Sequence, residues 1–236
     1  MAARFDLGAF AYAHRGLWLD AGPQENSLEA FRAAAKAGLG IEFDLRPAAD
    51  GTAMIFHDSL LDRMTGESGV FEARRADELR AMGLTGADER IPAFDDLLNL
   101  WPANLPLLCE MKIDGTTDPA AFAQQVAGRL ADWPGLAAAM SFSEGAVRAL
   151  PADMMRGQLV LPSLQAGEER FAAIAGRALA DGIDYLAVHY TDAARAAMLG
   201  APFVVWTVRT EADLAAARAY NPAIIFEHID PALAAP

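Results

Sequence analysis

Short apolar segments alternate with amphipathic segments along most of the chain. The apolar segments are typical of buried β-strands, and the amphipathic ones are typical of helices that cover a sheet. The predicted strands cover residues 10–14, 41–46, 107–111, 138–142, 158–161, 185–188, 203–208 and 223–226. The predicted helices cover residues 27–38, 94–100, 120–130, 144–150, 168–181, 192–199 and 211–220. Regular alternation of this kind predicts an α/β fold with a parallel sheet.

Eight predicted strands favour a closed (β/α)₈ TIM barrel, whose usual length is slightly greater than the 236 residues of this chain. An open, doubly wound sheet is the structural alternative. A glycine-rich phosphate loop after the first strand would support that alternative, and the sequence has none there. The pattern therefore favours the barrel.

One segment interrupts the alternation. The stretch ending at His57 has a strand pattern, yet only twelve residues separate Asp44 from His57, too few for a helix and a parallel return. Asp50-Gly51 is a turn signal between the two strands. We therefore predict a hairpin that brings His57 back to the level of Asp44. Residues at about 47–92 then form an insertion within a single TIM-barrel domain.

The charge balance limits the kinds of partner. The net charge is −13 and the isoelectric point is about 4.6, so the field of the whole protein repels nucleic acid and anionic membranes. We expect no nucleic-acid partner and no stable membrane anchoring. An anionic small-molecule substrate would need a site where a bound cation and an Arg or Lys reverse this field.

Three features concern the cellular location and assembly. Cys109 is the only cysteine and lies in an apolar run, which predicts a small buried hydrophobic residue and no intramolecular disulfide. Residues 1–10 show no signal-peptide pattern, and no apolar run is long enough to span a membrane. We expect a cytoplasmic protein. The sequence pattern leaves the oligomeric state unknown.

Acidic side chains follow the predicted strands at the end where a TIM barrel carries its active site. Glu42 and Asp44 lie two residues apart on a strand and therefore share one face. With Glu110 they form an all-oxygen set that suits one divalent cation, Mg²⁺ or Ca²⁺, with Mn²⁺ as a further candidate. The alternative is that these carboxylates are exposed or pair with Arg46 and Lys112.

Two histidines and two basic residues lie near the same strand ends. Imidazole gains and loses protons near neutral pH, so His14 and His57 suit acid and base roles on a phosphodiester. A lone histidine is more often structural, but two beside three carboxylates favour catalysis. Arg15 and Lys112 supply the positive charge that a phosphate requires. Pairing with the carboxylates is compatible with that role.

These motifs resemble the glycerophosphodiester phosphodiesterase family over nearly the whole chain, and most specifically in its first half. The matching residues are His14-Arg15-Gly16, Glu25-Asn26-Ser27, Ala30-Phe31, Glu42-x-Asp44, Asp50-Gly51, His57-Asp58, Leu61-x-Arg63, Glu110-x-Lys112, Ser141-Phe142 and Trp206-Thr207-Val208. The resemblance implies a TIM barrel with an insertion after the second strand. It also implies metal-dependent hydrolysis of a glycerophosphodiester to glycerol 3-phosphate and an alcohol.

The resemblance further assigns roles to individual residues. The implied roles are His14 and His57 as acid and base, Glu42, Asp44 and Glu110 as metal ligands, Arg15 and Lys112 as phosphate contacts, Asn26 as a polar neighbour of the metal, and Trp206 as an aromatic wall for the glycerol. Phe142 is a weaker candidate for the lining of the pocket, with core packing as its preferred role, and His189 is a further candidate at the mouth of the barrel.

The sequence departs from the family at the last strand. The family usually has Ser or Thr followed by Asp, whereas this chain has Phe226-Glu227-His228. Glu227 can replace the Asp with one more methylene, but Phe226 cannot replace a hydroxyl. This departure concerns the substrate more than the chemistry.

Two alternative functions remain open. One is a lysophospholipase D-like enzyme, which would need an exposed apolar rim from Leu60, Leu61, Val70 and Phe71. The other is a barrel that binds a ligand without catalysis, for which the altered last strand is the only support.

Overall fold

The computed structural model describes residues 4–19 and 22–236. The expectation that residues 1–10 contain no signal peptide therefore lies partly outside the described residues. The strands are β1 (Ala11–His14), β2 (Gly40–Pro47), β3 (Ala53–Ile55), β4 (Leu107–Met111), β5 (Ala137–Ser141), β6 (Met155–Leu159), β7 (Tyr185–His189), β8 (Phe203–Val208) and β9 (Ala223–Phe226). The helices are α1 (Leu28–Lys36), α2 (Ala76–Ala81), α3 (Phe94–Leu100), α4 (Pro119–Ala131), α5 (Glu144–Ala149), α6 (Ser163–Ala166), α7 (Glu168–Ala180), α8 (Ala193–Met198), α9 (Glu211–Arg218) and α10 (Pro231–Ala234).

Eight parallel strands close into a ring. Strands β4 to β9 follow in chain order, β9 pairs with β1, and β1 pairs with β2 through Tyr12 opposite Gly40. Helices connect most of the strands along the chain. The predicted TIM barrel is therefore confirmed. The open sheet is excluded because the pairing of β1 with β2 closes the ring.

The ninth strand, β3, lies outside the ring. It runs antiparallel to β2, with Leu45 opposite Ile55, and the Phe56 N–H donates to the Asp44 carbonyl at 3.1 Å. The predicted hairpin is therefore present. The residues after it contain a small apolar core of their own, in which Phe56 stacks on Phe71 at 4.7 Å. Treating residues 47–92 as an insertion within one domain remains a prediction.

The side chains of β2 show how the strands divide the interior from the helical layer. Ile41, Phe43 and Leu45 are fully buried in the core cluster that includes the helices, while Glu42 and Asp44 point the other way, into the barrel. The same alternation on the other strands supplies the barrel interior. Glu42 and Glu110 reach the cavity at the carboxyl ends of the strands, so the site forms the top layer of the interior.

Two tyrosines fill the barrel below that layer. Tyr12 and Tyr185 are fully buried, and each occupies the space where a neighbouring glycine lacks a Cβ. A Cβ on Gly40 would lie 2.7 Å from the Tyr12 ring, and one on Gly157 would lie 2.2 Å from the Tyr185 ring. Gly157 also explains why β6 begins at Met155, three residues before its predicted start, since glycine weakens a strand signal in the sequence.

Candidate active site

A cavity of about 370 Å³ opens at the carboxyl ends of the barrel strands. Seven predicted site residues line it: His14, Arg15, Glu42, His57, Glu110, Lys112 and Trp206. The other two, Asp44 and Asn26, are buried directly behind this lining and contact it. The fold thus brings together residues that are up to 192 positions apart in the chain (14 and 206).

Three carboxylates lie together at the cavity, with Glu42 and Glu110 in its lining and Asp44 directly behind them. Glu42, Asp44 and Glu110 are all buried, and one oxygen from each lies within 4.8 Å of the others. Strand register explains the arrangement, because Asp44 on β2 lies directly opposite Glu110 on β4. A group of buried carboxylate oxygens without a soft ligand fits a hard divalent cation.

Two cations balance part of this negative charge. Lys112 Nζ lies 2.9 Å from Asp44 Oδ1 and 2.5 Å from Glu110 Oε1. Arg15 reaches Asp44 with Nε at 3.4 Å and Glu25 with Nη1 at 2.9 Å. Both basic side chains also line the cavity, so pairing with the carboxylates and exposure to a substrate occur together.

The alternative in which Arg46 pairs with this cluster does not hold. Its Nη1 lies 3.2 Å from Glu72 and 2.7 Å from Asp114, and its Nε donates to the His57 carbonyl at 2.8 Å. Arg46 lies beyond the level of the cluster, where the hairpin and the segment after β4 supply nearer partners. Arg46 therefore holds the backbone at His57 in position and does not neutralise the charge of the carboxylate cluster.

The three carboxylates differ in their ionisation. Burial raises the pKa of Glu42, and the adjacent Asp44 and Glu110 carboxylates raise it further. Burial also raises the pKa of Glu110, although Lys112 opposes the shift. Asp44 is the exception, because Lys112 and Arg15 outweigh its burial and hold its pKa well below the usual range. Asp44 is therefore the carboxylate most firmly kept in its charged form.

Asn26 fixes the orientation of Asp44. Its Nδ2 donates to Asp44 Oδ2 at 2.8 Å, and the Asp44 N–H donates to Asn26 Oδ1 at 3.3 Å. The backbone of Asn26 is left-handed, with φ of 58°, a conformation that asparagine tolerates better than most residues. Its N–H donates to the Arg15 carbonyl at 2.8 Å, which ties this turn to the end of β1.

His14 lies between two carboxylates. Its Nδ1 is 2.5 Å from Glu227 Oε2, and its Nε2 is 3.8 Å from Glu42 Oε2. Burial lowers the pKa of His14, against the opposing effect of the Glu227 hydrogen bond. The ring therefore favours its neutral form, with one nitrogen toward Glu227 and the other toward the carboxylate cluster.

His57, which also lines the cavity, has a similar carboxylate partner. Its Nδ1 lies 2.7 Å from Asp58 Oδ1, and Asp58 Oδ2 accepts from Arg63 Nε at 2.6 Å. Arg63 also donates to Glu25, which accepts from Arg15 as well. Burial lowers the pKa of His57. A chain of hydrogen bonds therefore connects His57 with Arg15.

Aromatic side chains form one wall of the cavity. Trp206 meets Phe142 edge-to-face at 5.8 Å and His189 at 5.5 Å between ring centroids. Core packing of Phe142 was the wrong expectation, since its side chain is 38% exposed and lines the cavity. His189 lies in the same wall, whereas His228 instead packs against Trp18 at 4.5 Å.

A second cavity of about 580 Å³ adjoins the first. His57, Glu110, Lys112 and Phe142 line both cavities. The second cavity extends toward residues 58–63 and 110–114. A molecule bound at the carboxylate cluster could therefore extend in two directions.

The sequence reasoning missed Arg209, which follows β8, although strand-end position was an available signal for it. Glu227, at the end of β9, was identified only as a replacement for the family's Asp, without its contacts to His14 and Arg209. Asp58, Arg63 and Glu25 were already part of the matching motifs, but only the folded chain links them into one hydrogen-bonded chain.

Comparison with known proteins identifies the family. Residues 14–230 match the family model described as "Glycerophosphoryl diester phosphodiesterase family". This chain belongs to that family. The resemblance inferred from the motifs is thereby confirmed.

Among the described helices, none is both long enough and apolar enough to cross a bilayer.

Curated members of the glycerophosphoryl diester phosphodiesterase family match over part of the chain. "Probable glycerophosphodiester phosphodiesterase 2" of Mycobacterium tuberculosis is 41% identical over 96 residues, which cover 40% of this chain and 36% of that protein. "Glycerophosphodiester phosphodiesterase 1" of Bos taurus is 50% identical over 60 residues, covering 25% and 18%. The matched segments are thus about a third or less of these relatives' length.

Solved structures support the fold over almost the whole chain. An Oleispira antarctica phosphodiesterase, solved in complex with the product sn-glycerol-3-phosphate, has a TM-score of 0.79 at 21% identity and covers 95% of this chain and 94% of its own. A glycerophosphodiester phosphodiesterase of Thermotoga maritima has a TM-score of 0.74 at 21% identity, covering 96% of both chains. At this identity the likeness concerns the fold.

Proposed function

We propose that this protein hydrolyses glycerophosphodiesters to glycerol 3-phosphate and an alcohol, with a divalent cation bound by Glu42, Asp44 and Glu110. The observation that carries the proposal is the meeting of two carboxylate-paired histidines and three buried carboxylates in one cavity. Family membership supports the same reaction.

The donor set fits a hard cation. All three donors are carboxylate oxygens, they are buried, and Asn26 holds Asp44 in position. Mg²⁺ or Ca²⁺ matches this set, and Mn²⁺ is a further candidate. When bound, the cation would neutralise negative charge on the phosphoryl oxygens as it develops.

The chain's own residues supply the rest of the reaction. Arg15 and Lys112 bind and orient the anionic phosphate, and Trp206 supports the glycerol end. One of the two histidines accepts the proton of the attacking oxygen, and the other donates a proton to the departing alcohol oxygen. Either histidine can serve as the base, with the other as the acid.

The attacking oxygen has two alternatives. Attack by the glycerol 2-hydroxyl releases the alcohol and leaves a cyclic phosphate, which water then opens. Direct attack by water releases the alcohol in one step. In both routes one P–O bond to the alcohol breaks, and the products take up one water molecule overall.

The test is an assay of glycerol 3-phosphate release from glycerophosphocholine with Mg²⁺, Ca²⁺, Mn²⁺ or a chelator. We expect release with at least one cation and none with chelator. His14→Ala and His57→Ala should each lose at least about 100-fold in kcat while retaining metal affinity, and His228→Ala should retain activity. Turnover that persists in either active-site variant would reject the assigned roles. Metal and substrate binding without turnover would instead favour the non-catalytic barrel.

A lysophospholipase D-like activity is the second candidate. Leu60 and Val70 are 49% and 52% exposed, and Leu60 lines the second cavity. Leu61 and Phe71 are buried in the insertion core and cannot contribute to an apolar rim. Faster cleavage of lysophosphatidylcholine than of glycerophosphocholine would favour this candidate, and Leu60→Ser should then reduce only the lipid activity.

A further inference from the structure

We propose that Glu227 is a positioning residue for His14, keeping the proton of the neutral ring on Nδ1 and leaving the Nε2 lone pair free on the side of the carboxylate cluster. The catalytic consequence rests on the proposed function. The ring tautomer itself does not, and it can be measured separately.

The barrel topology sets this contact. Ala13 on β1 pairs with Phe226 on β9, so the residues that follow, His14 and Glu227, lie side by side. On the other side of β9, the Glu227 N–H donates to the last carbonyl of β8 at 3.1 Å, and Arg209 is the next residue after that carbonyl. Three neighbouring strand ends therefore place the imidazole, the carboxylate and the guanidinium in one row.

Both oxygens of Glu227 are occupied. Oε2 lies 2.5 Å from His14 Nδ1, and Oε1 accepts from Arg209 Nε at 2.5 Å. The Glu227 side chain is only 6% exposed, while that of Arg209 is 53% exposed. Burial alone would raise the pKa of Glu227, but the hydrogen bond from His14 and the charge of Arg209 lower it to about 2. Glu227 is therefore an ionised, acceptor-only group.

An acceptor-only partner determines which nitrogen carries the proton. Because the carboxylate of Glu227 has no proton to donate, the proton shared with His14 belongs to Nδ1. Nε2 then carries the lone pair, and it lies 3.8 Å from Glu42 Oε2. Such a ring can take a proton at Nε2, after which the carboxylate of Glu227 stabilises the imidazolium. Arg209 holds the carboxylate in place by bonding to its other oxygen.

Glu227→Gln is the sharpest substitution because it keeps the shape of the side chain. Arg209 can only donate, so the glutamine should turn its carbonyl oxygen toward Arg209. Its NH₂ group then faces His14 Nδ1 and forces the proton onto Nε2. The variant should therefore hold His14 in the opposite tautomer, with little change in packing.

The test combines ¹⁵N NMR of the histidine rings with kinetics on the full chain, metal-free and loaded with Mg²⁺. His14 is assigned by comparison with His14→Gln. We expect the Nδ1–H tautomer in the wild type and the Nε2–H tautomer in Glu227→Gln, with kcat reduced about 100-fold or more and KM changed less than about threefold. Glu227→Asp keeps an acceptor and should recover the Nδ1–H tautomer and part of kcat.

Glu144→Gln is the matched control. Glu144 is also held by arginines, Arg148 and Arg177, but it lies on α5 outside the cavity. It should change neither the tautomer nor kcat. A wild-type His14 in the Nε2–H form, or an unchanged tautomer in Glu227→Gln, would overturn the proposal even if activity falls. A tautomer switch in a protein that cleaves no glycerophosphodiester would support the positioning role and reject the proposed function.

Discussion

Lys112 Nζ lies 2.9 Å from Asp44 Oδ1, inside the cluster of carboxylates proposed to bind the cation. The Lys112 side chain is only 14% exposed there and also contacts Glu110. It therefore supplies positive charge to the metal-free site. Substrate phosphate and a bound cation would both lie next to this ammonium. The free energy of unfolding should therefore depend on whether either is bound.

Lys112→Met should destabilise the metal-free protein by about 3–5 kcal/mol, because removing one member of a buried ion pair leaves uncompensated charge. Saturating Mg²⁺ should recover much of this loss, since the cation restores positive charge among the carboxylates. Urea unfolding with chelator and with Mg²⁺ measures both effects.

Lys36→Met is the matched control for that experiment. Lys36 is exposed in the last turn of α1, so its removal should change stability by less than about 0.5 kcal/mol under both conditions. Equal destabilisation of Lys112→Met with and without Mg²⁺ would contradict metal binding at these carboxylates.

Asn26→Gly should reduce metal affinity about 10- to 100-fold, because Asp44 loses the amide that orients it. Glycine is the appropriate replacement, since it accepts the left-handed backbone of Asn26 without strain. Isothermal titration with Mg²⁺ measures the change. Asn221→Gly is the control, because Asn221 has a nearly identical φ of 55° but is exposed and precedes the first residue of β9, at the strand end opposite the site. Equal affinities in the two variants would count against the proposed ligand role of Asp44.

Asp58→Asn should lower stability in a pH-dependent way. Burial would raise the pKa of Asp58, but the hydrogen bonds from Arg63 and His57 lower it to about 2. Between that value and the ordinary value near 4 the unfolded chain binds more protons, so the stabilisation is complete above about pH 4 and is lost as the pH falls toward 2.

The loss in Asp58→Asn is expected to be about 1–2 kcal/mol at about pH 5, after allowance for solvent screening, and to shrink toward zero near pH 2. Urea midpoints of wild type and variant across this range provide the comparison. A difference that stays constant with pH would show that the carboxylate charge of Asp58 does not stabilise the fold.

Trp206→Leu should raise KM about tenfold and leave kcat within about threefold. The indole packs against Phe142 and His189 in the cavity wall, so its loss weakens substrate and transition-state binding equally. Steady-state kinetics with glycerophosphocholine separates the two constants. Tyr220→Leu, an exposed aromatic beyond α9, should leave both unchanged. A large fall in kcat with constant KM would place Trp206 nearer the reacting atoms than we propose.

The sequence by itself determined the alternation of strands and helices, the hairpin after Asp44, and the two-residue spacing of Glu42 and Asp44. Each depends on local periodicity, which a strand or a turn imposes on residues close together in the chain. It also indicated the site, because the strand ends of a parallel barrel meet on one face.

Only the tertiary structure decided which strand ends are neighbours. His14 and Glu227 are 213 positions apart, and they touch because β1 and β9 pair where the barrel closes. Arg46 is a second example. Its nearest acidic residues are in the insertion and in the segment after β4, and not on its own strand. Side-chain partners across a closed sheet depend on the register of the strands and on the closure of the barrel. The local pattern of apolar and polar residues determines neither of them.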